Sequence, residues 1–129
     1  VVVAPRVLLR QLLRGAAGVV CDAGHTVVCE ALDQGVPLVV VPVTADQRIV
    51  ASQAVRAGTA VRASCARHAT HGVDPGRLGR AIETVLTDAT LRHGAERVRD
   101  SFARAGGATV ATDHLEAMLR TPSASPGPA

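Results

Sequence analysis

The sequence predicts an α/β fold: a Rossmann-like parallel sheet with flanking helices, followed by further helices towards the carboxyl end. Three observations carry this. Short β-branched apolar runs alternate with longer amphipathic stretches. The short runs are bounded by Gly or Pro, as strands buried on both faces of a parallel sheet are. The amphipathic stretches are closed by Gly15, Gly35 and Gly58, the residue type that best ends a helix.

Taken in order, residues 1–4 (VVVA) form the first apolar run, and residues 7–14 the first helix. Residues 18–21 (GVVC) predict a second strand and residues 25–34 a second helix. Residues 37–43 predict a third strand, 45–57 a helix, and 59–61 a last strand. Strand and helix alternating at this spacing form a βαβ series. After residue 62 the pattern changes. Residues 63–73 read as a polar loop carrying Cys65, His68 and His71. Asp74-Pro75 supplies an N-cap followed by proline at the first helical position. Leu78, Ile82, Val85 and Leu86 make one apolar stripe on the helix that follows. Leu91, Ala95, Val98 and Phe102 make another, on a helix ending at Gly106-Gly107, and Ala111, Leu115, Met118 and Leu119 mark a last helix. Residues 1–120 are expected to form one partial domain. Residues 121–129 (TPSASPGPA) are a Pro- and Ser-rich tail whose composition cannot build a core and predicts disorder.

Composition excludes several functions. The chain has 129 residues, 47% of them hydrophobic and 19% charged, which is globular. A net charge of +3 and a single Phe, with no Tyr or Trp, leave neither a basic patch nor a stacking platform for nucleic acid. No apolar stretch approaches the roughly 20 residues of a membrane span. Arg6, Arg10 and Arg14 interrupt what would be the apolar core of a signal peptide. Three cysteines form an odd set without disulfide density, so the expected location is a reduced cytoplasm. The absence of an initial Met and an opening inside an apolar run suggest part of a longer protein.

Chemistry concentrates between residues 18 and 47. A buried strand ends at Cys21 and turns through Asp22-Ala23-Gly24 into a helix beginning near His25. The next strand opens into Thr44-Ala45-Asp46-Gln47. Both loops sit at strand carboxyl ends, where open α/β sheets bind ligands. A helix N-terminus there favours an anion such as a diphosphate, and Glu30, two turns on, is placed to reach sugar hydroxyls. The residues alone suggest a nucleotide or phosphate site and go no further.

This stretch resembles the donor-binding motif of GT-B glycosyltransferases, in particular the bacterial antibiotic and macrolide enzymes related to the UDP-glycosyltransferases. Their pattern runs His-Gly-Gly-x-Asn-Thr-x-x-Glu-Ala-Leu, then Gly-Val-Pro, then a strand ending in Pro with Asp-Gln four residues on. Here the same register holds Asp22-Ala23-Gly24-His25-Thr26-Val27-Val28-Cys29-Glu30-Ala31-Leu32, Gly35-Val36-Pro37, Pro42 and Asp46-Gln47. The resemblance implies the second half of a GT-B C-terminal domain. It implies donor-binding positions at Asp22, Ala23, Gly24, Thr26, Val27, Glu30, Asp46 and Gln47. The first five would lie at the donor's diphosphate, Glu30 at the ribose hydroxyls, and Asp46 and Gln47 at the transferred sugar. The implied reaction is inverting transfer of a hexose from a nucleotide-diphosphate sugar to a small natural-product acceptor. It needs no metal and no cofactor beyond that donor substrate. The catalytic base and acceptor pocket would lie in an N-terminal domain or partner chain outside these residues.

The departures from the pattern are specific. Asp22 stands where the family has the diphosphate histidine, Ala23 where it has glycine, Thr26 for asparagine and Val27 for a hydroxyl residue. Val3-Ala4-Pro5-Arg6 aligns with the Trp-x-Pro-Gln that stacks on the base. A carboxylate about 4 Å from a phosphate is repelled by about 4 kcal/mol at an effective dielectric near 20. Asp22 is also a good N-cap residue type and is expected to cap the helix with its own carboxylate. The alternative function is therefore a degenerate, non-catalytic remnant or binding module that has lost the diphosphate site. Two His/Cys groupings, Cys21/His25/Cys29 and Cys65/His68/His71, have short spacings, but packed thiols and a loop histidine explain them better than a metal does. Arg92, Arg97, Arg99 and Arg104 read as a solvated helix face.

Overall fold

The computed structural model describes residue 3 and residues 7–63 and 73–120. The strand expected over residues 1–4 (except Val3), the Ala4-Pro5-Arg6 part of the base-stacking alignment, the loop bearing Cys65, His68 and His71, and the tail at 121–129 lie outside the described residues. The chain divides into two compact units, Val1–Arg99 and Asp100–Ala129.

The first unit contains α1 (Leu9–Leu13), β1 (Val19–Cys21), α2 (His25–Asp33), β2 (Leu38–Val40), α3 (Ala45–Arg56), β3 (Ala60–Arg62), α4 (Pro75–Thr87) and most of α5 (Ala89–Arg104). The three strands form a parallel sheet in the order β1-β2-β3. Val20 pairs with Val39 and Cys21 with Val40, and Leu38, Val39 and Val40 pair with Ala60, Val61 and Arg62. β2 lies in the centre with all three residues buried. Its alternation divides the core: Leu38 and Val40 share a cluster with residues of α2, α3 and Ala95 of α5, while Val39 clusters with Ala81 and Val85 of α4 and with Leu91 at the start of α5. Each fully buried Leu or Val contributes about 1.5–3 kcal/mol relative to exposure, so this three-residue strand anchors both layers. β1, at the edge, is less covered, with Val20 51% exposed.

The strands are shorter than the apolar runs that predict them. The run over 37–43 pairs in the ladder only at Leu38–Val40. Val41 still donates its N–H to the Cys21 carbonyl, at 2.8 Å, but Pro42 has no N–H to carry the ladder on. The helices end where glycine predicts. After α2, Gly35 (φ +69°) lets its own N–H reach the Leu32 carbonyl at 3.0 Å and that of Val36 reach Ala31 at 2.9 Å. After α3, Gly58 and Thr59 repeat the device on Val55 and Ala54, and the buried Thr59 hydroxyl also donates to the Ala54 carbonyl. α4 starts as the sequence predicts, with Asp74 accepting from the Arg77 N–H at 2.9 Å and Pro75 at the first helical position.

α5 lies against the turns that close the sheet layer. Leu91, Gly94 and Ala95 are its buried residues. Gly94 lies so near Gly58 that a Cβ there would stand 2.1 Å from the Gly58 carbonyl oxygen. Arg92, Arg97, Arg99 and Arg104 are all exposed, and Arg92 also donates to the Ala17 carbonyl at 2.9 Å. A Cβ on Gly35 would stand 3.3 Å from the Arg99 guanidinium, and one on Gly58 4.0 Å from that of Arg97. These glycines follow the ends of α2 and α3, where cations are favoured.

The second unit holds the end of α5 and α6 (Gly107–Arg120). No residue of α6 is buried, and Leu115, Met118 and Leu119 are widely exposed within it. Among the described residues, no helix is long and apolar enough to cross a membrane.

Candidate functional site at the carboxyl edge of the sheet

The parallel register of β1 and β2 ends both strands at the same level, so the loops after Cys21 and Val40 emerge side by side. That juxtaposition carries residue 22 to residue 47. The Asp22 carboxylate accepts from the Gln47 side-chain amide at 2.7 Å with one oxygen and from the Gly24 N–H at 2.8 Å with the other. The second bond closes an Asx-turn, and between its ends Ala23 adopts φ +66° with its methyl fully buried. Left-handed backbone costs an L-residue about 1–2 kcal/mol, which is why a glycine fits the position better.

The N-cap of α2 is Gly24, and no side chain caps the helix. The expectation that Asp22 is the cap is therefore corrected. The left-handed turn at Ala23 inserts two residues between the carboxylate and the first helical turn, and Asp22 binds Gly24 and Gln47 instead. The first N–H groups of α2, at His25, Thr26 and Val27, thus begin the helix without a side-chain cap. His25 and Thr26 are exposed and Val27 is half-buried.

Gln47 is spent in three directions. Its side-chain oxygen accepts from the N–H groups of Val43 (2.9 Å) and Thr44 (3.0 Å), while its amide donates to Asp22. The contact to the Thr44 N–H is one half of a capping box at the start of α3. The Thr44 hydroxyl donates to the Asp46 carboxylate. That bond, then the N–H groups of Asp46 and Gln47, hold the fully exposed Asp46 carboxyl below its ordinary 3.8. Cys21, at the end of β1, has its thiol pushed above its ordinary value by burial, against a lowering contact from the Ala23 backbone and with a further rise from Asp22.

The structure brings Asp22, Ala23, Gly24, Asp46 and Gln47 into one network, with Thr26 and Val27 on the adjoining helix turn. Glu30 is not in that network. It lines a separate cleft of about 490 Å³ against Leu8, Leu9, Arg10 and Gln11, at the start of α1. Arg10 there is paired with Asp33 at 2.9 Å. The Asp22–Gln47 bond has no signal in the sequence, since it spans 25 positions and depends on strand register. Among the described residues, no group of three or more His, Cys, Asp or Glu side chains is placed to hold a metal.

A family model described as "Erythromycin biosynthesis protein CIII-like, C-terminal domain" matches residues 1–118. Among solved structures, the chain is similar to the glycotransferase of kitacinnamycin, with 30% identity, 86% of this chain and 28% of that one covered, and a TM-score of 0.76. It is similar to CalG4, the calicheamicin glycosyltransferase, at 23% identity, covering 90% of this chain and 29% of that one, with a TM-score of 0.79. SnogD from Streptomyces nogalater matches at 23% identity over 76% of this chain and 24% of its own, with a TM-score of 0.60. The latter two likenesses concern the fold alone. The chain spans less than a third of the length of these structures. Curated proteins give no match.

Proposed function

The chain belongs to the EryCIII-like C-terminal domain family, and on that premise we propose that it is the nucleotide-sugar donor-binding region of an inverting natural-product glycosyltransferase. The carrying observation is that the loops after β1 and β2 converge beside an uncapped helix start. The α2 N-terminus receives the donor diphosphate on its backbone N–H groups, with the helix dipole favouring the charge. Glu30, in its own cleft further along α2, takes the ribose hydroxyls. Asp46 and Gln47 face the transferred hexose. As the glycosidic bond breaks, negative charge grows on the departing nucleoside diphosphate, and preoriented N–H groups stabilise it without reorganising. The base that deprotonates the acceptor and the acceptor pocket belong to an N-terminal domain supplied elsewhere. The 129 residues alone therefore transfer no sugar.

One observation favours the alternative, a remnant that has lost diphosphate binding. Asp22 puts a carboxylate beside the anion site and engages the Gln47 amide that a sugar would otherwise use. Calorimetric titration of the chain with UDP, dTDP and their sugars separates the two. Saturable binding at millimolar affinity or better supports the donor-binding reading. No binding by the native chain, with binding gained on Asp22→His, establishes the remnant. Measurable glycosylation by the purified chain overturns the statement that it is inactive alone.

A further inference from the structure

We propose that the open edge of β1 binds a second copy of this chain, the two β1 strands pairing antiparallel about Val20 to form one continuous sheet. β1 ends the sheet, and among the described residues no strand pairs on its outer side. Val19 donates to the Pro37 carbonyl at 3.1 Å and the Cys21 carbonyl accepts from the Val41 N–H at 2.8 Å, so both are turned towards β2. Alternation along the strand then turns the N–H and C=O of Val20 outward. The Val20 side chain, half exposed, lies in an apolar hollow of about 60 Å³ with Val39 and with Ile82, Val85 and Leu86 of α4. α4 packs mainly over β2 and β3, and Leu86 beside β1 is 57% exposed.

The edge itself selects this occupant. Sheet edges that must stay unpaired are blunted by charge or proline. β1 and Gly18 before it carry neither. The far edge differs: of the outward residues of β3, Ala60 is buried and Arg62 presents an exposed cation. The β1 edge is also self-complementary. With Val20 opposite Val20 of the second copy, the two residues exchange both N–H···O bonds, and a two-fold axis brings both Val20 and both Leu86 side chains to one face. The charges agree with the same direction. Arg92 is held 2.9 Å from the Ala17 carbonyl, ahead of β1, and the exposed Asp22 follows β1. Antiparallel pairing sets residue 22 opposite residue 18 of the second copy. Each Asp22 therefore comes to the strand end where the other copy's Arg92 lies. A copy docked parallel would set Asp22 against Asp22.

The test is sedimentation equilibrium of the chain over a concentration series, in which the mass is expected to rise from one chain towards two. Val20→Lys, with its circular dichroism unchanged, is expected to weaken the dimer about tenfold or more, since it sets a cation against its own copy. Leu119→Lys, at an 87% exposed residue of α6, is expected to leave the dimer unaltered. Arg92→Glu is expected to weaken it, and Asp22→Arg added to Arg92→Glu to restore it. With Cys21→Ala, Cys29→Ser and Cys65→Ser as background, Val20→Cys is expected to cross-link to its own copy on mild oxidation. Facing Cα atoms in such a pair lie about 5.5 Å apart, within disulfide reach. A chain monomeric at every concentration overturns the proposal and leaves the edge to a strand from outside these residues. A dimer that survives Val20→Lys, or that Leu119→Lys dissolves, overturns it as well. So does a dimer in which Val20→Cys forms no cross-link. An Arg92→Glu dimer as strong as the native one overturns the antiparallel direction.

Discussion

Gly94→Ala isolates the contact that seats α5 on the turn after α3. In a helix interior the change normally stabilises by about 0.8–1 kcal/mol, because Ala loses less backbone freedom on folding. At Gly94 the new Cβ would stand 2.1 Å from the Gly58 oxygen and 2.8 Å from its carbonyl carbon, where ordinary contact begins at 3.4 Å. The obstruction is backbone, which cannot rotate aside as a side chain would, and Gly58 is itself held at φ +69° by the bonds that end α3. Overpacking of this kind costs about 1–3 kcal/mol. With an immovable neighbour the cost falls at the upper end, about 3 kcal/mol, leaving a net loss of about 2 kcal/mol after the helical gain. For a domain of up to about 100 residues that corresponds to a fall in Tm of roughly 8–16 °C. The control is Gly79→Ala on the exposed side of α4, where the added Cβ meets nothing within 4 Å. There the same substitution is expected to raise Tm by several degrees. Thermal unfolding followed by circular dichroism reads both. A Gly94→Ala chain as stable as Gly79→Ala would refute the reasoning, since the Gly58 carbonyl is the obstruction that Gly79 lacks.

Two further outcomes follow from the site's geometry, beside the donor titration already described. Ala23→Val places a β-branched side chain at φ +66° in a fully buried position, and is expected to cost about 2–3 kcal/mol in urea denaturation. Ala23→Gly, which trades relieved strain against a lost buried methyl and added chain entropy, is expected to change stability by less than about 1 kcal/mol. Thr44→Val removes the hydroxyl whose hydrogen bond does most to lower the Asp46 carboxyl. A depressed carboxylate contributes stability above its unfolded value of 3.8 that is lost as pH falls through the folded value. An NMR titration of the Asp46 carboxyl is therefore expected to move up towards 3.8 in Thr44→Val, and the acid limb of the stability curve to become shallower.

The layer order of the fold was legible because strands buried on two faces need β-branched runs and left-handed helix ends need glycine. Leu38–Val40, Gly35 and Gly58 show both rules at work. Strand length was not legible, since pairing depends on what neighbouring strands offer, and β1 and β3 each offer three residues. Gly79 and Gly94 both interrupt a helical pattern, and the sequence does not separate the one that meets the Gly58 carbonyl from the one that meets nothing. What the sequence shows is that the loops after β1 and β2 carry Asp22, Asp46 and Gln47; that Asp22 binds Gln47 follows from register across the two loops.

That bond changes how the substitutions in the motif are weighed. Taken singly, Asp22 repels a phosphate and Ala23 strains a turn that glycine would adopt freely. Together they form one unit: the Asp22 carboxylate accepts from Gly24 and Gln47 across the very residue that is strained. Two hydrogen bonds, each contributing about 1 kcal/mol net, are enough to offset about 1–2 kcal/mol of left-handed strain. The loop thus holds, with an alanine at φ +66°, a shape that glycine adopts freely. Asp22→His tests both halves at once. It removes the turn-closing carboxylate and frees the Gln47 amide, so a gain in diphosphate binding should come with a small loss of stability. Binding gained with no stability lost would mean that the hydrogen bonds to Gly24 and Gln47 contribute nothing to holding the Ala23 turn.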